Sequence, residues 1–302
     1  MDRRFRIVVA ALLVAIALPS AARAGGAWVP PPGHGDIQLG FSQKTAHTSF
    51  DVAGNRFTNG NPARPSLHDF RYGYLSSEIG LLPRLSARVL ITYLYGLEGP
   101  KDDLYLNHGL SDAWVGLKYG IRGGDLPMAV AATLRTPYFY DQPGPYNRFL
   151  FDNKGAVVAN SPEWRGLLKK DLTISYLISR SFCGGRGWAN LEVGYTFREG
   201  APADQIPVSA EVGYPLPFLR AYAKLSALYV RSRYNDSVAQ PDDRFRAGAT
   251  FNFNEASLGR VAGAIGVPLS RRFSVEAGYG QWVWGRSARR YKEPYASLGY
   301  RF

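Results

Sequence analysis

The sequence of 302 residues predicts an all-β fold, a transmembrane antiparallel β-barrel of about 12 strands, with 10 and 14 strands left open. Three observations predict it. A short apolar leader opens the chain. Apolar and polar residues then alternate with a period of two over runs of about ten residues. The connections between those runs sort into short and long ones.

The leader has a basic start at Arg3, Arg4 and Arg6 and an apolar run from Ile7 to Leu18, which Pro19-Ser20 breaks. Ala22-Arg23-Ala24 supplies a small-x-small cleavage pattern before Gly25, so residues 1–24 read as a signal peptide. The run is too short to cross about 30 Å of hydrocarbon as a helix; a retained anchor is the competing reading. Without the leader, 36 Lys and Arg lose four Arg and 24 Asp and Glu lose one Asp, leaving a net charge of about +9. No later stretch approaches 18 consecutive apolar residues, so strands must do any crossing.

Residues 25–35 form a Pro-rich N-terminal segment. Trp28-Val29-Pro30-Pro31-Pro32 is stiff and extended. It either folds into the lumen as a small plug, with Trp28 wedged against the wall, or hangs as a loose periplasmic tail. Residues 36–302 form the barrel.

The alternation is plain in four runs. Ala87, Val89, Ile91 and Tyr93 share one face against Arg88, Leu90 and Thr92. Ala113, Val115, Leu117 and Tyr119 oppose Trp114, Gly116 and Lys118. Leu191, Val193, Tyr195 and Phe197 oppose Asn190, Glu192, Gly194 and Thr196, and Phe273, Val275, Ala277 and Tyr279 oppose Ser274, Glu276 and Gly278. A soluble sandwich uses shorter strands, whereas these suit a tilted membrane crossing. The expected strands cover 36–46, 68–81, 86–96, 111–121, 126–136, 168–180, 187–198, 204–213, 219–231, 243–268, 272–284 and 292–302. The tenth is too long for one crossing, and Asn254-Glu255-Ala256-Ser257 is the place to break it.

Short connections fall at Leu82–Leu85, Arg122–Asp125, Tyr214–Phe218 and Ser270–Arg272; long ones at Ser49–Ser66, Leu97–Leu110 and Pro137–Trp164. Tight periplasmic turns and longer outer loops give this pattern. In the last strand Ala296, Leu298, Tyr300 and Phe302 share the apolar face. A final strand ending in Phe looks like the terminal signal read by the barrel-assembly machinery.

Gly26-Ala27-Trp28-Val29-Pro30, Gly33-His34-Gly35, Leu39-Gly40-Phe41-Ser42, Phe50-Asp51-Val52-Ala53-Gly54-Asn55-Arg56 and Gly109-Leu110-Ser111-Asp112-Ala113-Trp114-Val115-Gly116-Leu117-Lys118-Tyr119, with the last strand, carry a family likeness over most of the mature chain. The sequence resembles a group of outer-membrane transporters labelled as meta-pathway phenol-degradation proteins. Ser111 stands where their pattern has a second Gly. The resemblance implies outer-membrane location and passage of small hydrophobic or aromatic compounds. It carries over no catalytic residue.

The chemistry-bearing residues support that direction. His34, His47, His68 and His108 show no nucleophile or carboxylate spacing, so neither catalysis nor metal binding is expected, and no cofactor is implied. Cys183 is the one cysteine and cannot form an internal disulfide. Cys183-Gly184-Gly185-Arg186-Gly187 reads as a turn, because it lacks the Lys-Ser/Thr of a phosphate loop. Scattered basic residues on an exported chain argue against nucleic acid. They leave outer-membrane lipid, lipopolysaccharide phosphates and small solutes as partners.

Inward-facing candidates are Lys44, Arg88, Lys118, Arg135, Arg220, Lys224, Arg246, Arg260 and Arg301, with Glu78, Glu192, Glu211 and Glu276. Glu78 and Arg88 are equidistant from the turn at Pro83 and should pair. The set is either a wet lining with a basic excess, favouring anions, or a lattice of ion pairs that stiffens the wall. In the Pro137–Trp164 loop, Tyr138, Phe139, Tyr140 and Tyr146 either offer stacking surfaces to an aromatic solute or pack against the rim. A passive channel for small solutes is the leading expectation. A structural or surface-interaction barrel with a filled lumen comes second, and a barrel enzyme is remote.

Overall fold

Alternation makes each strand two-faced, and a sheet with one apolar and one polar face can close in a membrane with no edge left unpaired. The computed structural model has this form. It describes residues 26–51, 53–58, 60–61, 64–100, 104–137, 149–151, 157–160, 170–199, 203–216, 219–233 and 256–302. Twelve long strands run in chain order: β1 (Gly35–Ala46), β2 (Arg64–Leu82), β3 (Leu85–Pro100), β4 (Leu104–Arg122), β5 (Met128–Thr136) and β6 (Asp171–Phe182), then β7 (Gly187–Arg198), β8 (Gln205–Leu216), β9 (Ala221–Ser232), β10 (Ser257–Pro268), β11 (Phe273–Arg286) and β12 (Lys292–Arg301). Each pairs antiparallel with the next, β4 with β5 included. β1 closes the ring on β12 through Leu39↔Leu298 and Phe41↔Ala296. Phe302 completes the seam, since its N–H donates to the Gly35 carbonyl at 3.1 Å and its carbonyl accepts from Gly35 at 3.2 Å.

Ten of the twelve expected spans match to within four residues at each end. The expected connection Leu97–Leu110 is corrected: β3 runs on to Pro100 and β4 starts at Leu104, paired Leu97↔Leu106 and Glu98↔Tyr105. Gly99-Pro100 look like loop residues but pair with Leu67 and Ser66, because backbone pairing does not need apolar alternation. The described part of the tenth strand is Ser257–Pro268; the rest of the expected span, 243–255, lies outside the described residues. The signal peptide, Arg246 and the loop aromatics Tyr138, Phe139, Tyr140 and Tyr146 lie outside the described residues. At the outer end, Thr48–Phe50, Arg56–Thr58 and Ala288–Arg289 form a small three-stranded ribbon.

The short turns are locally encoded. Arg84, Cys183 and Arg220 take positive φ at the turns before β3, β7 and β9. The Ser270 hydroxyl accepts from the N–H groups of Arg272 and Phe273 at 3.1 and 3.0 Å before β11. Arg220, expected to face inward, is therefore an exposed turn residue.

The outward face is apolar and uncovered. Leu39 is 59 % exposed, Leu225 62 % and Ile265 55 %. Leaving such side chains in water forfeits about 1.5–3 kcal/mol each, so a continuous belt of them fits acyl chains instead. On this outer wall, Ile79, Val89, Val115, Leu117 and Leu134 also line an apolar groove of about 550 Å³.

The inward face is smoothed by aromatic rings lying over glycines. Tyr74 covers Gly40, Trp188 covers Gly213, Tyr222 covers Gly266 and Tyr295 covers Gly278. A side chain at any of these glycines would collide with the ring. Gly213→Val is expected to cost about 1–3 kcal/mol of barrel stability through overpacking. That lowers the temperature at which the folded band converts on a denaturing gel. Gly123→Val is the control, because its turn leaves open space.

Candidate functional site

Strand parity places Glu78, Arg88, Lys118, Arg135, Glu192, Glu211, Lys224 and Glu276 on the inner face, opposite to Leu75, Val89, Leu117, Leu134, Val193, Val212, Leu225 and Val275. They gather into separate groups. Glu78 pairs with Arg88 in the register and at 3.9 Å through the guanidinium Nε. Its Oε1 also takes Lys118 Nζ at 2.6 Å and the Ser86 hydroxyl at 2.6 Å. Lys224 Nζ lies 2.7 Å from Glu276 and 3.6 Å from Glu211. Tyr222 donates to Glu276 at 3.0 Å, and Trp188 Nε1 to Glu211 at 3.0 Å. Arg135 holds Asp112 and reaches Asp171 at 3.5 Å, which Arg198 approaches at 3.6 Å. Lys44 and Arg260 share Glu293 at 3.7 and 2.7 Å. Glu192 on β7 stands opposite Ser209 on β8.

These ion pairs hug the wall. Lys118 reaches Glu78 across β3, where Ser86 lies between them; Lys224 reaches Glu276 across the small residues of β10; Arg260 reaches Glu293 over Gly280 of β11. All join neighbouring or next-but-one strands, and none spans the lumen. Sequence reasoning missed Asp36, Asp112, Asp171, Arg198 and Glu293. Of these, Asp112, Asp171 and Glu293 partner cations that the sequence left unmatched.

The N-terminal segment also lies inside the barrel, against the inner wall. At one side Gly33 N–H donates to the Gly80 carbonyl at 2.9 Å, and Gly80 N–H donates to His34 O at 2.9 Å. Pro32 bridges Gly80, and the carbonyls of Pro30 and Pro31 occupy the space a Gly80 side chain would need. Val29 packs on Gly120. Lys118 Nζ then donates to Trp28 O at 2.6 Å and to Gly26 O at 2.9 Å. Ala27 N–H donates to Ser179 Oγ at 2.7 Å, and Ser179 in turn donates to Asn190. Ala27 is buried in a cluster with Ala129, Ala131 and Leu177. The segment thus runs from β2 past β4 to β6 and β7. What ties Trp28 to the wall is its carbonyl oxygen. Every turn contacted or approached is of the short kind, so the segment lies at the short-turn end, which is the periplasmic end in barrels of this kind.

Other candidate chemistry stays dispersed. His34 lies 3.3 Å from Phe302 O at the periplasmic rim, and Cys183 is an exposed free thiol. Among the described residues no group of three or more His, Cys, Asp or Glu could hold a metal ion.

The sequence matches no family model and no curated protein. Among solved structures, an outer-membrane channel from Pseudomonas putida F1 is similar over 93% of this chain and 100% of its own, with 10% identity and a TM-score of 0.62. The chain has the fold of an outer-membrane β-barrel. The translocator domain of the autotransporter NalP from Neisseria meningitidis matches over 99% of this chain and 95% of its own, at 9% identity and TM-score 0.49. The β domain of the Bordetella autotransporter BrkA matches over 89% and 99%, at 14% identity and TM-score 0.49.

Proposed function

We propose that this barrel is an outer-membrane channel for small solutes, narrowed at its periplasmic end by residues 26–34. The observation that carries this reading is the contrast inside the lumen. Ion pairs lie along the wall and leave the middle free of struts among the described residues, while one short segment runs inside the wall from β2 to β7 and takes up part of the bore. A barrel built only for rigidity has no need of wall-hugging charges around an aqueous bore. Hydrophobic or aromatic solutes fit the family resemblance and the inner rings Tyr72, Tyr74, Trp114, Tyr222 and Tyr295. Export through residues 1–24 and recognition of Phe302 by the assembly machinery belong to the same proposal.

A permanently filled barrel is the second reading, favoured by the three bonds of Lys118. Planar-bilayer recording of folded, heat-modifiable protein separates the two. Discrete steps of small conductance support the channel. No steps, either from the intact protein or after residues 26–33 are removed, would sink it.

A further inference from the structure

The inner charges are not evenly distributed. Arg135 and Arg198 face Asp112 and Asp171, two cations to two carboxylates. Lys224 faces Glu211 and Glu276, one cation to two. At the periplasmic end Lys118, Arg88 and Arg301 meet Glu78 and Asp36, with Arg301 opposite Asp36 in the register, but Gly26 and Trp28 cover Lys118. At the outer end cations also outnumber carboxylates, and no segment covers them among the described residues. Lys44 and Arg260 share Glu293 alone, and their side chains keep 26 % and 20 % exposure toward the bore.

This outer group is also ringed by aromatics. Lys44 Nζ sits 4.7 Å from the centre of the Tyr72 ring, and Arg260 Cζ 5.8 Å from that of Tyr295. Arg260 pairs in register with Trp282, which meets Tyr291 edge-on at 5.0 Å. Tyr291 meets Phe70, the register partner of Lys44, at 6.3 Å. Lys44 is near the outer end of β1, and Arg260 and Glu293 are near the outer starts of β10 and β12. Two cations on one carboxylate leave one positive charge uncompensated, and a low-dielectric wall strengthens its pull on an anion. An Arg fork beside an ammonium suits a carboxylate, which can take bonds from both. The flat rings offer stacking to an aromatic body.

We propose that the outer mouth of the lumen holds a binding site for an aromatic monocarboxylate, with Lys44 and Arg260 on the carboxylate and Tyr72 and Tyr295 against the ring. The role of the site as a capture point for solute rests on the channel reading; binding itself does not.

The test is equilibrium dialysis of the folded, detergent-solubilised protein against radiolabelled benzoate at neutral pH. One saturable site is expected. Benzyl alcohol, which lacks the charge, should compete at least about tenfold more weakly, and cyclohexanecarboxylate, which lacks the flat ring, about threefold more weakly. Lys44→Met should weaken binding about tenfold. Glu293→Gln should tighten it, because it frees both cations from their shared partner. Tyr72→Leu, expected to weaken binding about threefold, stands in if Lys44→Met fails to give the folded band. Non-saturable uptake, equal competition by benzyl alcohol, or weakening by Glu293→Gln overturns the site. Binding without conductance would keep the site and reject the channel; conductance without binding would do the reverse.

Discussion

Deleting residues 26–33 raises single-channel conductance several-fold and leaves the barrel folded. The segment lies inside the bore along the inner wall, running from Gly80 on β2 to Ser179 and Asn190 on β6 and β7. Conductance scales with the open cross-section, so removing a polypeptide strand from a small bore has a large effect. The barrel should survive the loss. Its strands pair with one another and not through the segment, and the closing contacts Leu39↔Leu298 and Gly35–Phe302 lie outside it. The wall groups left behind, Ser179, Asn190 and Lys118, face water once the segment is gone. The cost in stability is therefore mostly the small apolar cluster around Ala27, Ala129, Ala131 and Leu177. Recording in planar bilayers, with heat-modifiability as the folding control, reads both halves of the expectation. Unchanged conductance from a folded deletion variant would show that the segment does not limit the bore.

Lys118→Met produces the second large change, a shift from a mostly narrowed channel toward a mostly open one with the segment still present. Lys118 spends all three ammonium donors, on Glu78, Gly26 O and Trp28 O, and its side chain is fully buried. A hydrogen bond to a charged group contributes about 1.5–3 kcal/mol. Water in the lumen can replace part of that, so about 3 kcal/mol for the two carbonyls together is the fitting scale. Every 1.4 kcal/mol is tenfold in an equilibrium, so the open population should rise about a hundredfold. Glu78 keeps the Ser86 hydroxyl and Arg88, which limits damage to the wall. Arg88→Met is the matched control. Arg88 approaches the same carboxylate at only 3.9 Å and no contact ties it to the segment, so long openings should stay rare. Equal effects from both variants would assign the change to Glu78 rather than to the carbonyls.

Parts of the site were legible because hairpin register is local. Glu78 and Arg88 are equidistant from the Pro83-Arg84 turn, and they pair where counting places them. Pairs that step over a strand escape such counting. Lys118 finds Glu78 across β3, and Arg260 finds Glu293 across β11, because the curvature of a closed wall brings next-but-one strands within reach over small residues. Asp112 was missed for a different reason. The register shifts between Ile91 and Tyr93, so simple alternation along β3 and β4 breaks just beside it. Asp171 and Glu293 sit at strand ends, where pattern is weakest. Arg220 went the other way: it reads as the first inward residue of a strand but occupies a left-handed turn position.

The sequence by itself determined the wall. Period-two alternation needs only the pleat of a strand, and an apolar face about ten residues long has one solvent that suits it. The short turns and the closing role of the last strand follow from that one-dimensional pattern, which left the strand number open at 10, 12 or 14 until the sheet closed. The tertiary structure decided the path of residues 26–34. A Pro-rich stretch has no periodicity to place it, and its partners Gly80, Gly120, Lys118, Ser179 and Asn190 are far apart along the chain. They become neighbours only when the sheet closes, and only then is there an interior with a glycine gap and an ammonium to receive the segment's carbonyls.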